Sequence, residues 1–448
     1  MKPGSRLISL AVTATLAGAV LVTACALAPG RVIEVPHSAE PAVPLEVSAT
    51  QAIASIEPPA TADKWWLWTH GTQLRGANIW QRIVVPDLDG PEFLGSGYIG
   101  PPITQIDLDA LAALGANVVN LSHPGLYTER PPYVLDEQVQ ANLDHVIEMA
   151  AQADLFVVIT FRTGPGRSDF TFYRDGAGDW FDAELLIESV WTDPAAQDAW
   201  VDMWRTAAER YRDEPVVVGY DLMCEPNGEG IFLDVYDPEA FFPAHAGSLL
   251  DWNQLYPRIV SGIREVDAET PILVSAQGWG AVRWLPGLEP VNDPRVVYMV
   301  HQYEPQEAYT HQDPAGGNSY PDELDLDGDG AADRFDRAWL AEYLSAVESF
   351  QRAHGAPVSV NEFGVERWVP QAAAFMADQM ELFESYGMNH SLWAWDPAWA
   401  PWTGSVNGMN YLFGPDPENA VPVENELLGV ITAFWARNTV RPSNFASE

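Results

Sequence analysis

Cysteine and lysine are the two residue types that this chain uses least. Of 448 residues only Cys25 and Cys224 are cysteines, and lysine occurs only at positions 2 and 64. Without a disulfide framework, a domain of this length must be held together by its apolar core. The formal net charge of −40 excludes nucleic acids and anionic membrane surfaces as partners, because both would repel the chain. We therefore expect a neutral partner or substrate.

An apolar run from Leu7 to Val22 follows two basic residues and ends at Ala24-Cys25. This pattern predicts a lipoprotein signal peptide over residues 1–25, with Cys25 acylated as the first residue of the mature chain. The alternative is an ordinary signal peptide with an incidental cysteine. Residues 26–61 are rich in Pro, Ala and Glu and are interpreted as a tether. We expect an exported protein that meets the membrane only through its lipid anchor.

Residues 62–440 alternate short β-rich segments with amphipathic helical patterns. The candidate strands are Leu74–Trp80, Ala116–Leu121, Leu155–Phe161, Val216–Met223, Ile272–Ala276, Val296–Gln302, Val358–Glu362 and Ser391–Trp395. The candidate helices are Asp107–Leu114, Asp136–Ala153, Pro194–Arg212, Trp252–Val266, Arg337–His354, Gln371–Tyr386 and Asn425–Trp435. This order predicts the α/β class and a single (β/α)8 TIM barrel with long βα loops. The connection from the fifth strand to the sixth is too short for a clear helix.

Two glutamates stand at the carboxyl ends of predicted strands. Glu225 follows the fourth strand, and Glu362 ends the seventh, so the barrel would make them face each other across its mouth. Cleavage of a glycoside requires such a pair, in which one acid protonates the leaving oxygen and one carboxylate attacks the anomeric carbon. A single glutamate of this kind is commonly a surface charge or a helix cap, but two of them predict catalytic roles. Loop or substrate-contact roles are assigned to three competing carboxylates: Glu304, Glu366 and Asp396.

Five short motifs occur in order along the chain, at the spacing of barrel strands: Leu74–Asn78, Glu225-Pro226, His301–Tyr303, Asn361–Gly364 and Trp393–Trp395. Each motif is weak alone. Together they resemble glycoside hydrolase family 5, the cellulase and mannanase family of clan A, over roughly residues 65–435. The resemblance implies an atypical member with a retaining double displacement, in which Glu225 is the acid/base and Glu362 the nucleophile.

The resemblance also implies roles for residues around the two glutamates. His301 and Tyr303 would line the site, with Tyr303 hydrogen-bonded to the nucleophile, and Trp395 would be the platform under the sugar. Arg75, in the first motif, would contact substrate. The alternatives are a satisfied core pair for His301 and Tyr303 and ordinary barrel packing for Trp395.

Three positions depart from the family pattern. Cys224 replaces the usual Asn before the acid/base, so the contact with the sugar is lost, moved to Asn227, or replaced by one that suits a different sugar. Asn120 stands where the second strand usually ends in Arg, and Arg162 stands where His is usual after the third strand. We hypothesise that Arg162 takes over the missing cationic role. The alternative is an ion pair between Arg162 and an acidic loop residue.

An acidic segment between the sixth strand and the next helix has the spacing of a calcium loop. Asp325, Asp327 and Asp329 lie two residues apart, and Gly330 stands where such a loop turns sharply. The predicted ligands of this structural Ca²⁺ site are Asp325, Asp327, Asp329, Ala331, Asp333 and Asp336. The alternative is a solvated acidic loop.

These observations predict a monomeric hydrolase of O-glycosidic bonds in a neutral β-linked oligo- or polysaccharide, such as a glucan or mannan. No cofactor is expected for catalysis. Two alternatives stay open: a surface lipoprotein that binds glycans on a decayed barrel, and a hydrolase of glycolipids or unusual β-glycosides.

Overall fold

Eight parallel strands close into a barrel in this computed structural model, which describes residues 58–59, 61–85, 99–100, 102–172, 182–326, 330–395 and 408–445. The strands are β1 Arg75–Trp80, β2 Val118–His123, β3 Phe156–Phe161, β4 Val217–Asp221, β5 Ile272–Ser275, β6 Val296–Gln302, β7 Val358–Phe363 and β8 His390–Leu392. Each strand pairs in parallel with its neighbours in sequence, and β1 pairs with β8 to close the ring. The predicted (β/α)8 barrel is confirmed.

In the described part of the chain, seven α-helices of nine or more residues follow barrel strands. They are α1 Gln105–Ala113, α2 Glu137–Gln152, α3 Pro194–Tyr211, α4 Trp252–Arg264, α5 Arg337–His354, α6 Ala372–Ser385 and α7 Glu426–Trp435. The short β5–β6 connection carries only a 3-10 helix, Val282–Gly287. Three shorter α-helices are Trp66–Thr69, Gly228–Leu233 and Pro238–His245. Short 3-10 or π turns lie at Asp169–Phe172, Ala183–Leu185, Ser189–Trp191, Gln306–Thr310 and Pro442–Asn444. Two antiparallel strand pairs lie outside the barrel: Arg82–Ile83 with Ile99–Gly100, and Asp322–Leu324 with Asp333–Phe335. No described helix is long and apolar enough to cross a bilayer.

Aspartates at helix starts give part of the negative charge a structural role. The side chains of Asp136, Asp193 and Asp251 accept hydrogen bonds from the first free backbone N–H groups of α2, α3 and α4. Each such cap contributes about 1 kcal/mol to stability, and its negative charge suits the positive end of the helix dipole.

An apolar layer fills the barrel at the amino-terminal ends of its strands. Val118, Val158 and Leu273 are buried there against the short helix that precedes β1. Trp68 of that helix donates its indole N–H to the backbone oxygen of Val218 at 2.9 Å. This end of the barrel is thus closed, and chemistry is confined to the carboxyl ends of the strands.

The next layer of the barrel interior is polar. Asp221 of β4 accepts hydrogen bonds from the hydroxyl of Thr160 at 3.0 Å and from the amide of Asn361 at 2.6 Å. Asn120 accepts from the same Thr160 hydroxyl at 2.8 Å and donates to Asn78, which in turn donates to the backbone oxygen of Asn361 at 2.7 Å. This buried chain of hydrogen bonds joins five strands and fixes the floor beneath the mouth.

The predicted calcium segment lies next to the strand pair Asp322–Leu324 and Asp333–Phe335. Asp327 and Asp329 lie outside the described residues. Asp325 accepts a hydrogen bond from the backbone N–H of Gly330 at 3.0 Å, and Asp336 caps α5 and pairs with Arg334 at 3.1 Å. The calcium site stays a prediction, and Asp336 has a structural role in capping α5.

Asp221 gives the barrel a pH-dependent stability. Burial, with the charge of Glu362 adding to it, raises the pKa of Asp221 to about 7. Between about pH 4 and pH 7 the unfolded chain releases this proton while the folded chain keeps it, so the free energy of unfolding falls as pH rises. Asp221→Asn keeps an oxygen that accepts both hydrogen bonds and removes the charge. We expect the stability of the variant relative to the parent chain to rise by up to about 4 kcal/mol between about pH 4 and pH 7.

Urea unfolding at several pH values measures this effect. Asp213→Asn is the matched control, because the side chain of Asp213 is 91% exposed and should change little at any pH. A stability difference between Asp221→Asn and the parent chain that does not vary with pH would contradict the assignment.

Candidate active site

Three strand ends bring the two predicted catalytic glutamates to one imidazole. Nδ1 of His301, on β6, lies 3.0 Å from Oε1 of Glu225 and 3.7 Å from Oε2 of Glu362. These two carboxylate oxygens are therefore no farther apart than the two distances together. The two carboxyl groups therefore lie close enough to act on one glycosidic bond.

A bulge in β7 aims two successive side chains into the barrel. The pairing of β7 with β6 shifts register between Val360 and Glu362. In a regular strand Asn361 and Glu362 would point to opposite faces, yet Asn361 reaches Asp221 and Glu362 reaches the mouth. The bulge thus lets one residue complete the polar floor while the next enters the site, as bulges beside active sites commonly do.

Both carboxylate oxygens of Glu362 accept hydrogen bonds. Oε2 accepts from the hydroxyl of Tyr303 at 3.1 Å, and Oε1 accepts from the thiol of Cys224 at 3.2 Å. Burial raises the pKa of both donors well above their usual values, and the charge of Glu362 adds to this. Both groups therefore keep their protons and act as donors at neutral pH, so the side chain of Glu362 is held in one orientation.

Arg162 brings a cation to the nucleophile candidate. Its Nη1 lies 3.6 Å from Oε1 of Glu362, and the same nitrogen donates to Ser122 at 3.0 Å and to Cys224 at 3.2 Å. The guanidinium carbon lies 4.5–5.4 Å from the ring centroids of three aromatic residues, Trp80, Phe172 and Trp393. Arg162 thus places a positive charge beside Glu362, and its replacement of a cation at position 120 stays a prediction.

Charges around Glu225 and His301 act in opposite directions on the two groups. Burial opposes ionisation of Glu225, but the hydrogen bond from His301 and the nearby guanidinium groups outweigh it and hold its pKa below the usual value. Burial likewise opposes the charged imidazole, but the carboxylates of Glu362, Glu225 and Asp221 outweigh it and raise the pKa of His301. These opposite shifts favour a protonated His301 beside an ionised Glu225 in the free protein.

Some residues of the site were not predicted from the sequence. Arg167 is fully buried and donates to the backbone oxygen of Glu225 at 2.6 Å. His311 packs edge-on against Tyr303, and burial lowers its pKa to about 4. Arg167 lies in the same segment after β3 as Arg162, but nothing in the sequence distinguished it from a surface arginine. Beside the acid/base candidate, Tyr236 stacks on Trp279 with ring centroids 5.8 Å apart, and Tyr236 is 44% exposed.

Two predicted substrate contacts lie away from the site. Arg75 begins β1, at the closed end of the barrel, where it pairs with Glu384 at 2.5 Å. The indole N–H of Trp395 donates to the backbone oxygen of Asp107 at 2.9 Å, which directs the ring toward α1. Arg75 therefore stabilises the barrel base, and it is the ring of Trp393 that contacts Arg162, at 5.0 Å.

Two further predicted contacts are engaged in the structure itself. Asn120 lies in the polar floor, with its side chain bonded to Asn78 and Thr160. Asn227 is fully buried and donates to the backbone oxygen of Thr171 at 3.0 Å. Neither side chain projects into the mouth as a sugar contact, because both hold neighbouring backbone or side-chain groups in place.

The competing carboxylates have other surroundings. Glu304 lies 3.7 Å from Arg283 with 29% of its side chain exposed. Burial raises the pKa of Glu366 to about 8. Asp396 lies outside the described residues. Of the carboxylates predicted from the sequence, Glu225 and Glu362 are the two that the described contacts bring to His301.

The chain resembles known glycosidases in both sequence and fold. It is 25% identical over 212 residues to endoglucanase C of Acetivibrio thermocellus, an alignment that covers 47% of this chain and 52% of that protein. It is 29% identical over 138 residues to an endoglycoceramidase of Hydra vulgaris, covering 30% of this chain and 25% of the relative. The chain thus spans about half the length, or less, of these curated relatives.

Solved structures share the fold at low sequence identity. Endoglucanase Cel5A of the hyperthermophile Thermotoga maritima matches with a TM-score of 0.57 and 18% identity, covering 83% of this chain and all of that one. Pseudomonas stutzeri endoglucanase Cel5A matches with the same score and identity, covering 82% and 96%. The sequence profile of the cellulase family, glycosyl hydrolase family 5, matches residues 72–398. These residues include all eight barrel strands and both glutamates, and the chain therefore belongs to glycosyl hydrolase family 5.

Proposed function

We propose that this glycoside hydrolase cleaves a neutral β-linked glycan with retention of anomeric configuration. The observation that supports this most strongly is the contact of both carboxylates with one imidazole nitrogen, at 3.0 and 3.7 Å. Retaining enzymes need carboxyl groups about 5–5.5 Å apart, which is compatible with that limit. The negative charge of the chain also fits a substrate that carries no phosphate or carboxylate of its own.

In the first step Glu362 attacks the anomeric carbon and Glu225 protonates the departing oxygen. The bond from the anomeric carbon to the leaving group breaks, and an ester to Glu362 forms. In the second step Glu225, now ionised, removes a proton from water, which displaces Glu362 and frees the sugar. Tyr303, Cys224 and Arg162 hold the attacking carboxylate in place before and after each step.

The proton for the first step comes from the His301–Glu225 pair. The free protein holds this proton on His301, 3.0 Å from Glu225. Transfer across that hydrogen bond converts Glu225 into the acid that the leaving oxygen requires and leaves a neutral imidazole. When Glu362 becomes an ester it loses the charge that contributes most to raising the pKa of His301. The same pair therefore favours a neutral imidazole when Glu225 must act as a base.

Glutamine variants separate the two carboxylate roles. Glu362→Gln should abolish cleavage of every substrate, because no nucleophile remains. Glu225→Gln should lose about 10²–10⁴-fold on oligosaccharides, whose leaving groups need a proton. It should still release a dinitrophenolate group in an initial burst, because that leaving group departs without one. The panel includes β-glucans, β-mannans, aryl β-glycosides and a β-glucosyl ceramide.

Glu304→Gln is the matched control, since this partly exposed carboxylate also lies just beyond a strand but pairs with Arg283, and it should leave activity nearly unchanged. Activity that survives in Glu362→Gln would refute the assignment of the nucleophile. Binding without cleavage by the parent chain would favour a glycan-binding protein. Cleavage of the ceramide alone would favour the glycolipid candidate, which the similarity to the Hydra vulgaris endoglycoceramidase supports.

We also propose that the chain is exported and held at the membrane through acylated Cys25. This proposal rests on the sequence alone: an apolar leader that ends at Ala24-Cys25. Residues 1–57 lie outside the part of the chain that the structure describes. Cys25→Ser should move the protein from the membrane fraction to the soluble fraction, whereas Cys224→Ser should not. Membrane association that persists in Cys25→Ser would contradict the proposal.

A further inference from the structure

A thiol, an imidazole and a carboxylate meet at the centre of the site. Cys224 follows β4, His301 lies on β6 and Glu362 on β7, and one potential ligand atom from each lies within 4.8 Å of the other two. All three side chains are buried, with exposed fractions of 3% or less. In the family pattern an amide precedes the acid/base, so the thiol is the feature that distinguishes this cluster.

Thiolate, imidazole and carboxylate are the three ligand types that zinc prefers. Zinc binds sulfur at about 2.3 Å, nitrogen at about 2.0–2.1 Å and oxygen at about 2.0–2.2 Å. Two ligands on one ion therefore lie at most about 4.6 Å apart and closer in a tetrahedral site. The thiol is already 3.2 Å from one oxygen of Glu362 and Nδ1 of His301 is 3.7 Å from the other. The three atoms lie within 4.8 Å of one another, so side-chain shifts of about 1 Å would complete a site of three ligands.

The charges near the cluster balance a bound dication. Binding replaces the proton of the Cys224 thiol with the metal and releases that proton to solvent. The resulting thiolate, Glu362, Glu225 and, when ionised, Asp221 carry four negative charges, which match the two charges of the ion and those on Arg162 and Arg167. Glu225, 3.0 Å from Nδ1 of His301, is also placed to become a fourth ligand. His301 must be neutral to bind, so affinity rises with pH.

We propose that Cys224, His301 and Glu362 form an inhibitory binding site for Zn²⁺ and chemically similar divalent ions. The inhibitory part rests on the proposed function, because the ion would occupy the nucleophile and displace substrate. Binding itself depends only on the three side chains. Reversible inhibition of this kind requires the thiol of Cys224.

Cobalt absorption detects the site without any substrate. The experiment uses the full chain with Cys25→Ser, in which Cys224 is the only remaining thiol. Addition of Co²⁺ should produce a thiolate-to-cobalt charge-transfer band that saturates at one equivalent and disappears when Zn²⁺ is added. Cys224→Ser should abolish the band. His301→Gln should weaken binding more than about 100-fold, because even groups outside the ligand shell change metal affinity about 10–100-fold.

Glu304→Gln is the matched control, because it removes a carboxylate just beyond β6 that pairs with Arg283 and is no proposed ligand, and it should keep the full band. Circular dichroism confirms that each variant is folded. No band in the parent chain, or a band that persists in Cys224→Ser, would overturn the proposal. A band in a chain that hydrolyses no glycan would support the metal site and refute the hydrolase function. Hydrolysis that Zn²⁺ inhibits in the parent chain, with relief by a chelator and by excess substrate, would support both.

Discussion

The imidazole of His301 lies between two carboxylates, and the geometry of the barrel mouth depends on that contact. It fixes Glu225 and Glu362 at a short separation although they come from strands on opposite sides of the ring. The polar floor below, with Asp221 at its centre, holds β4 and β7 in the register that this contact requires. The bulge in β7 then turns Glu362 upward while Asn361 remains in the floor. Placement of the reacting groups is thus a consequence of how the barrel interior satisfies its buried polar atoms.

The chain has few basic residues, and two of them lie beside the reacting groups. With 23 Lys and Arg against 63 Asp and Glu, the basic residues are too few to pair one-to-one with the carboxylates. Several aspartates cap helices. Arg162 lies beside Glu362 and Arg167 holds the backbone of Glu225, so positive charge is concentrated where two ionised carboxylates must coexist. The acidic surface repels anionic molecules. The two arginines at the site stabilise a closely spaced pair of carboxylates.

The sequence predicted the barrel well, because strand and helix periodicity depends on local residues. It predicted β6 and α5 to the residue, and it brought Glu225, Glu362, His301, Tyr303 and Arg162 to one place because strand ends meet in a barrel. It failed where orientation decides the role. Arg75 and Trp395 matched motifs, but the direction of a side chain at the first residue of a strand, or just beyond β8, is set by tertiary packing. The polar floor was also missed, since its hydrogen bonds join residues far apart in sequence.

The central claim is that Glu362 forms a covalent bond to the sugar, and the configuration of the first product tests it most directly. Proton NMR during early turnover of a β-linked oligosaccharide distinguishes the two anomers before they interconvert. The account predicts that the β anomer appears first, because two displacements restore the original configuration. Initial release of the α anomer would show a single displacement by water, which would contradict the role of Glu362 as nucleophile.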